Sequence, residues 1–320
     1  METSTPAQTR VRDELLAWGA ERPVVDPDLA LDLRAALEDG ARAVFAKRGH
    51  AINGDQRDRY DDTVWVSKSR LDRLVCDGLY RSALEEPFTY NAAIAVGTIS
   101  HRAIELDHAT RRVHSPEQVV DRVWHEIATK AGDQLAVFAN GLGDMEAASL
   151  RQEAEQLLSE HRDVWPPLPS WLHVRMEQQV RVELLGGRVV LLGTPDITLG
   201  RVRDDRARML LVDLKTGFRR PEAERQELRF YALLLTLKYG QPPFRWAAHY
   251  VAEGAWDLED LRPELLDTAV RRVVDSIDQA VRLADEDAEE RLRTGRWCRF
   301  CPRRDSCPAY LSQGDGTVGP

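Results

Sequence analysis

The feature that most constrains this chain is a pair of apolar runs, each followed by an aspartate. The runs Val189–Leu192 and Met209–Val212 are rich in valine and leucine, as in strands buried at the centre of a sheet. Asp196 follows the first run and Asp213 follows the second. The charged segment between the runs is typical of a turn. An antiparallel hairpin would bring the two carboxylates to one face of the sheet.

Lys215 adds a cation to this pair of acids. It follows Asp213 by two residues, and side chains alternate along a strand, so both point to the same face. Two carboxylates beside an ammonium group can bind a hard divalent cation and activate a water molecule. A single aspartate at a strand end is more often a solvated turn residue or a cap. The metal-site hypothesis therefore depends on the rest of the chain.

Composition narrows the class of protein. With 320 residues, 43% of them apolar, the chain can bury a sizeable core. Its net charge of −9 excludes a uniformly basic nucleic-acid binder. Two local basic segments, residues 219–229 and 291–304, are the candidates for contact with nucleic acid. No apolar run is long enough for a membrane span, and the N-terminus does not resemble a signal peptide, so we expect a cytoplasmic protein.

Periodicity places these features on secondary-structure elements. Most of the predicted helices precede the main run of strands, and helices and strands alternate after it. Predicted helices cover residues 28–47, 67–84, 91–110, 115–165 in pieces, 221–239 and 263–293. Predicted strands cover residues 63–66, 172–185, 189–192, 209–215 and 244–251, with Gly186-Gly187 as a hairpin turn.

One predicted helix presents a histidine beside small and acidic residues. Gly97, His101 and Glu105 are spaced by four and share one helix face. A histidine in a helix is more often packed or solvated than a ligand. The spacing by itself therefore leaves the role of His101 open.

The four cysteines form a second pattern. Cys298, Cys301 and Cys307 lie within ten residues, and Cys76 is far upstream in a predicted helix. A reducing compartment disfavours disulfides, and a local zinc knuckle would draw two pairs of ligands from nearby hairpins. A [4Fe–4S] cluster needs one thiolate per iron with no constraint on sequence separation. The pattern favours the cluster, with zinc as the alternative.

The motifs described above lie between Ser67 and Pro308. In their types and in their order along the chain they resemble the PD-(D/E)XK nuclease superfamily, in its RecB-like iron–sulfur branch of AddB-type and CRISPR adaptation nucleases. The resemblance implies an α+β fold: a central mixed β-sheet flanked by helices, with a helical insertion and a C-terminal iron–sulfur staple. It also implies an N-terminal helical segment (1–62), a nuclease domain (63–310) with its insertion at about 115–165 and its iron–sulfur segment at 296–308, and a disordered tail (311–320).

The resemblance also implies roles for individual residues. The implied metal ligands are His101, Asp196, Asp213 and the carbonyl of Leu214, and the catalytic set is Asp196, Asp213 and Lys215. The implied cluster ligands are Cys76, Cys298, Cys301 and Cys307. Residues lining the DNA path or supporting the site would be Glu105, Gln226, Glu227 and Tyr231. Glu177, in the first predicted strand of the sheet, is an acid of a kind that sometimes supplements the site.

One position departs from the family pattern. The family carries Gln four residues before the tyrosine of the helix that follows the D-x-K strand, whereas this chain has Glu227 four residues and Gln226 five residues before Tyr231. Either the register has shifted by one residue, or glutamate has replaced glutamine.

The implied function is a Mg²⁺- or Mn²⁺-dependent DNA nuclease, an exonuclease on single-stranded ends in DNA repair, recombination or processing. The alternative is a catalytically silent iron–sulfur subunit that binds DNA ends or forms a complex, and a third possibility is an iron–sulfur redox sensor. No helicase motif or phosphate-binding loop occurs, so we expect a stand-alone nuclease. The chain carries no motif that identifies a helicase, repair or CRISPR partner.

Overall fold

A computed structural model of the chain describes residues 4–48, 63–86, 88–285 and 287–312. The helices are α1 (Pro6–Arg10), α2 (Leu29–Lys47), α3 (Lys68–Asp72), α4 (Asp77–Glu85), α5 (Ala92–Ala109), α6 (Pro116–Ala128), α7 (Gln134–Asn140), α8 (Asp144–Val164), α9 (Pro221–Tyr239), α10 (Pro263–Leu283) and α11 (Pro308–Leu311). The strands are β1 (Val64–Ser67), β2 (Arg175–Met176), β3 (Val180–Leu184), β4 (Val189–Gly193), β5 (Ile197–Leu199), β6 (Met209–Lys215), β7 (Pro243–Tyr250) and β8 (Ala255–Asp260). The predicted loop at 50–62 and most of the predicted tail lie outside the described residues.

The strands form two mixed sheets, not one central sheet as the sequence predicts. Their orders are β1-β4-β3 and β2-β5-β6-β7-β8. β1 runs parallel to β4 and β6 runs parallel to β7, while the other pairs are antiparallel. The chain leaves the first sheet after β4 and enters the second at β5. Pro195 lies between these strands and has no N–H with which to continue a ladder.

The hairpin that the two apolar runs predict is present. β5 pairs antiparallel with β6, and Ile197 lies opposite Val212. Asp196 and Asp213 therefore occupy the next opposing position, where β5 begins. The predicted Gly186-Gly187 turn also joins β3 to β4, and both glycines have positive φ. These residues fold as predicted because only glycine adopts that backbone without strain.

Helices cover both faces of the sheets and form two hydrophobic cores. One core lies under α2, α9 and α10, and the other under α5, α6 and α8. β6 contributes to both, Leu211 to the first and Leu210 and Val212 to the second, as side-chain alternation requires. Helices α2 and α10 approach closely, since a Cβ on Gly40 would lie 2.6 Å from Val274 Cγ2. Within the described parts of the chain, no helix is long and apolar enough to cross a membrane.

Two predicted helices were wrong in extent, and one strand was not predicted. The helix predicted over 67–84 is interrupted at Cys76, whose backbone is extended (φ −160°, ψ 130°) between a 3₁₀ turn and α4. The helix predicted over 263–293 ends at Leu283. β8 was not predicted, because its alternating acids look like a solvated segment in the sequence. As described below, those acids pair with arginines of α9.

Two buried histidines, one on β7 and one on α8, lie close together. His249 is fully buried, and its Nδ1 accepts a hydrogen bond from Trp165 Nε1 at 3.3 Å. His161, also buried, stacks on Trp165 with ring centroids 5.7 Å apart. Burial lowers the pKa of His249 to about 4 and lowers that of His161 well below its usual value. Both rings are therefore neutral in the folded protein at pH 7.

This pair makes the fold sensitive to acid. Below about pH 6.5 the unfolded chain binds a proton at each histidine, and the folded chain does not until about pH 4 for His249. The free energy of unfolding should therefore decrease as the pH is lowered from about 6.5 to about 4, by about 3 kcal/mol for His249 alone. Urea unfolding of wild type and His249→Phe measures the effect. The variant should be less stable than wild type at neutral pH, but its free energy of unfolding should decrease less on acidification. An equal decrease in both proteins would contradict the assignment of His249 as a neutral buried residue.

Candidate active site

Helix α5 is held close to the end of β6. Asn91 caps the helix by accepting a hydrogen bond from Ile94 N at 3.0 Å. A Cβ on Gly97 would lie 3.2 Å from Thr216 Oγ1, so a larger residue would push the helix away from this end of the strand. One turn later, His101 faces the beginning of β5. The small residue and the histidine therefore have the arrangement that their spacing predicts.

Three potential ligands converge at His101. Its Nδ1 lies 3.3 Å from Asp196 Oδ1 and 3.4 Å from Glu177 Oε1. One ligand atom from each of the three residues lies within 4.8 Å of the others, and no other trio of His, Cys, Asp or Glu in the described chain meets this condition. A nitrogen with two carboxylate oxygens is a suitable set for a divalent cation.

Glu177 enters this group through an unusual backbone. It follows the two-residue strand β2 and has a φ of 48°, in the left-handed region. Its N–H donates to the Asp196 carbonyl at 2.9 Å, which fixes the two residues relative to each other. Non-glycine residues in this region are strained and concentrate at functional sites. The family resemblance implies only a supplementary role for Glu177, because the sequence predicts one continuous strand over 172–185 and not the break at which Glu177 lies.

Asp213 lies opposite Asp196 but outside that trio. Its carboxylate forms an ion pair with Lys215 Nζ, although Asp213 Oδ2 has no partner with hydrogen-bond geometry among the described residues. Asp196 Oδ2 accepts a hydrogen bond from Leu214 N at 2.5 Å. The N–H and C=O of a strand residue face the same neighbouring strand. The Leu214 carbonyl is therefore directed towards Asp196, as a ligand role requires.

Glu227, not Gln226, reaches the site. Its Oε2 accepts a hydrogen bond from Lys215 Nζ at 2.8 Å, and its Oε1 lies 3.3 Å from Lys68 Nζ. Gln226 instead donates to Glu222 at 2.8 Å on the same helix. Glutamate thus occupies the position next to Lys215, with the register of α9 unshifted.

Tyr231 and Glu105 flank the site. Tyr231 packs on the end of β4, since a Cβ on Gly193 would lie 2.7 Å from its ring. Burial raises the pKa of Tyr231 strongly, and the nearby carboxylates Glu227 and Asp213 raise it further. Glu105 pairs with Arg102 at 2.5 Å and is not a member of the trio. Tyr231 is therefore in contact with the site, and Glu105 is peripheral to it.

The site carries excess negative charge. Four carboxylates (Glu177, Asp196, Asp213 and Glu227) face two ammonium groups (Lys68 and Lys215) and the His101 imidazole, a formal surplus of one when the imidazole is charged. Burial raises the pKa of Asp213 well above its usual value, and Asp196 and Glu227 raise it further.

The same carboxylates favour the charged forms of the two neighbouring bases, His101 and Lys215. Burial opposes the charge on His101, but Asp196 and Glu177 outweigh it and raise the pKa of the imidazole well above its ordinary value. Burial likewise opposes the charge on Lys215, and Asp213 and Glu227 more than offset it, so its pKa is raised. The surplus of carboxylates thus holds the neighbouring bases in their charged forms.

The cysteines gather beside α4. The Sγ of Cys76 accepts a hydrogen bond from Arg293 N at 3.5 Å, and that of Cys298 accepts one from Gly295 N at 3.4 Å. Burial raises the pKa of the Cys301 thiol, and Cys76 and Cys298 also raise it, which places the three residues together. Cys307 is half-buried where α11 begins. All four are free cysteines.

A buried ion pair fastens the cysteine-bearing segment to the body. Asp77, adjacent to Cys76, accepts hydrogen bonds from Arg282 Nη2 at 2.8 and 2.7 Å and from Gln279 Nε2 at 2.9 Å. The same carboxylate accepts one from Arg291 N at 2.7 Å. Removing Asp77 would leave Arg282 buried without its charge partner. The segment after α10 is therefore held at α4 independently of the thiols.

Three of the four arginines in the first basic segment are neutralised. Arg225 pairs with Asp257 at 2.8 Å, and Arg229 pairs with Glu259 at 2.5 Å. Arg219 pairs with Glu253. The acids of β8 and the turn before it thus offset these three, whereas Arg220 is exposed and forms no ion pair with the described residues. In the second segment, four exposed arginines have no ion pair among the described residues: Arg291, Arg293, Arg296 and Arg299.

The chain has relatives among solved structures and matches one family model. The chain is similar to a crystal structure named "Putative exonuclease" from Eubacterium rectale, with 13% identity, a TM-score of 0.47, and coverage of 83% of this chain and 95% of that one. It is also similar to the crystal structure of SSO0001, with 13% identity, a TM-score of 0.34, and coverage of 88% and 98%. A search of curated proteins found no match. The family model for the PD-(D/E)XK nuclease superfamily matches residues 75–308, most of the chain, and the protein belongs to that superfamily.

Proposed function

We propose that the protein is a divalent-metal-dependent nuclease of the RecB-like iron–sulfur branch that degrades single-stranded DNA from an end. The observation that carries the proposal is the convergence of His101, Glu177 and Asp196 beside the Asp213–Lys215 ion pair. A purely structural cluster would not bury more carboxylates than cations, because uncompensated buried charge is costly.

The metal would be held by His101, Glu177, Asp196, Asp213 and the Leu214 carbonyl. The residues fit a divalent cation in two ways: more carboxylates than cations face the site, and the donors are a mixture of nitrogen and oxygen atoms. When bound, such an ion polarises a phosphodiester and lowers the pKa of water. The imidazole favours Mn²⁺ over Mg²⁺.

Lys215 would supply the second element of catalysis. Its ammonium group lies between Asp213 and Glu227, so it remains charged and cannot act as a general base. A fixed cation at this place would orient the attacking water and offset the negative charge that develops on the phosphate. Glu227 would hold Lys215 in position, with Lys68 as its second charge partner.

Glu227→Gln tests this positioning role. The amide keeps the shape of the side chain but removes the charge that holds Lys215, so we expect kcat to fall about tenfold, the size of one lost charged hydrogen bond. Gln226→Ala, the neighbouring position on α9, serves as the control and should keep the wild-type rate. Steady-state kinetics on a single-stranded substrate measure both. An unchanged kcat in Glu227→Gln would show that an amide suffices and that the charge is not required.

The cysteines would hold a [4Fe–4S] cluster. In a tetrahedral zinc site with bonds of about 2.3 Å, the sulfur atoms are about 3.8 Å apart. Among the described cysteines, no three have sulfur atoms within 4.8 Å of one another, a wider arrangement than zinc requires. Backbone N–H groups donate to two of the sulfurs, Cys76 and Cys298, as is common around iron–sulfur clusters.

The route for DNA would pass the cysteine-bearing segment. Because three of the four arginines of residues 219–229 are paired with acids, the exposed arginines between 291 and 299, together with Arg220, are the better candidates for phosphate contacts. A confined basic surface on a chain of net charge −9 suits a single strand better than a duplex, which needs a broad basic face.

Cleavage of matched substrates tests the proposed function. With Mn²⁺ or Mg²⁺, we expect degradation of linear single-stranded DNA, slow cleavage of circular single strands and almost none of blunt duplex. The activity should fall steeply as salt rises, because phosphate contacts release counterions. Chelation should abolish it. Equal rates on linear and circular single strands would identify an endonuclease, and no cleavage with any divalent ion would favour a binding subunit.

A further inference from the structure

The most exposed large apolar side chain in the described part of the protein lies next to the proposed active site. Phe218 is 98% exposed, and it follows Lys215 by three residues in the loop between β6 and α9. Three residues span at most about 11 Å between Cα atoms, so the backbone of Phe218 lies close to that of Lys215. Single exposed apolar side chains are common, so it is the place of Phe218 beside the proposed site and beside other exposed apolar groups that distinguishes it.

The surroundings of Phe218 hold the ring out in solvent. A Cβ on the preceding Gly217 would have no atom within 4 Å, so the loop projects from the body at this point. The residue before that glycine, Thr216, lies against Gly97 of α5. The base of the loop is therefore fixed by α5 while its tip is free.

Other exposed apolar groups lie on the α5 side of this contact. Ile94 is one turn before Gly97 on the same face of the helix and is 39% exposed. Phe88, just before the helix, is 54% exposed and makes an edge-on contact with Tyr90 at 5.0 Å between ring centroids. Apolar surface thus flanks the loop base, and the proposed metal ligands lie beyond it.

Two arginines follow Phe218 in the chain. Arg219 forms an ion pair with Glu253 and lies over the Tyr250 ring at 4.2 Å from its centroid. Arg220 is exposed and forms no ion pair with the described residues. This part of the surface therefore offers an aromatic face with a cation close by in the chain, which suits a nucleotide whose base stacks on the ring while its phosphate meets the arginine.

We propose that Phe218 is a stacking subsite for an unpaired nucleobase next to the scissile phosphate, and that it selects unpaired strands. This inference rests on the proposed nuclease function and adds that the site recognises an unpaired base of the substrate. A base within a duplex is stacked on its neighbours and cannot cover the ring. The subsite therefore favours strands whose bases are free, whatever their sequence, because every base has a π-face.

Binding without cleavage tests the inference. The probe is a short fluorescein-labelled oligothymidine in chelator, compared with an abasic strand that has the same phosphates. Phe218→Ala should weaken oligothymidine binding about tenfold, with no change on the abasic strand and the same dependence on salt. Phe218→Trp should keep the affinity, and Phe218→Leu, apolar but not aromatic, should lose it as alanine does.

Trp171→Ala is the matched control. Trp171 is a 62% exposed aromatic at the far end of β5, where Leu172 accepts a hydrogen bond from Gly200 N. Gly200 is about 13 Å along the chain from Asp196. This variant should bind oligothymidine like wild type. Equal affinities of wild type and Phe218→Ala, or an equal loss on the abasic strand, would overturn the stacking subsite alone. Failure of wild type to bind oligothymidine would overturn the proposed function as well.

Discussion

Asp213→Asn is expected to reduce DNA cleavage by roughly 1,000-fold or more while leaving the fold intact. Asparagine has the volume of aspartate but cannot supply the negative oxygen that faces the proposed metal. The variant should be as stable as wild type or slightly more so. Burial and the carboxylates of Asp196 and Glu227 already raise the pKa of Asp213, so its charge is unfavourable in the metal-free fold.

Three measurements check this prediction. End-labelled single-stranded DNA gives the rate, urea unfolding in chelator gives the stability, and visible absorbance reports the proposed cluster, which should be unchanged. Asp204→Asn is a suitable control, since this exposed turn aspartate pairs only with surface groups. If Asp213→Asn cuts at the wild-type rate, the active site lies elsewhere in the chain.

Cys76→Ala is expected to remove the proposed cluster as completely as Cys301→Ala. Each variant deletes one of four thiolates, and a [4Fe–4S] cluster needs one for each iron. Anaerobically purified wild type should be brown with about four irons per chain. Both variants should be colourless, and the segment after α10 should become more susceptible to protease.

The Asp77 ion pair keeps this test interpretable. Because Asp77 binds Arg282 and Arg291 N without any thiol, α4 and α10 should stay together when the cluster is lost. Far-ultraviolet circular dichroism should therefore change little. Ser306→Ala, whose hydroxyl only donates to the Arg303 carbonyl, is the control and should keep its iron. A colourless wild-type protein with stoichiometric zinc would refute the cluster.

Residues at the ends of the apolar runs were predictable, because strand alternation and antiparallel register fix their directions. Asp196, Asp213 and Lys215 lie where the two runs indicate. The spacing of Gly97 and His101 was equally informative, since one helix face brings Gly97 to the end of β6 and His101 to the beginning of β5.

Other parts of the site depend on tertiary contacts that no local pattern contains. Glu177 reaches His101 from a left-handed residue after a two-residue strand. The break at Cys76 interrupts a segment whose apolar spacing is that of one continuous helix. The arginines of α9 look like a basic surface in the sequence, and only the folded chain shows that β8 compensates them. Lys68, distant in sequence, gave no signal of its contact with Glu227.

The packing of α2 against α10 bears on how the protein can be shortened. The superfamily match begins at residue 75, yet Leu33, Leu37 and Phe45 fill the core under α10. A fragment cut at the family boundary would expose that apolar face of α10 to water and would be expected to aggregate. Residues upstream of the match are thus part of the minimal folding unit. Any excised catalytic fragment should begin before Leu29, even though the chemistry lies entirely downstream.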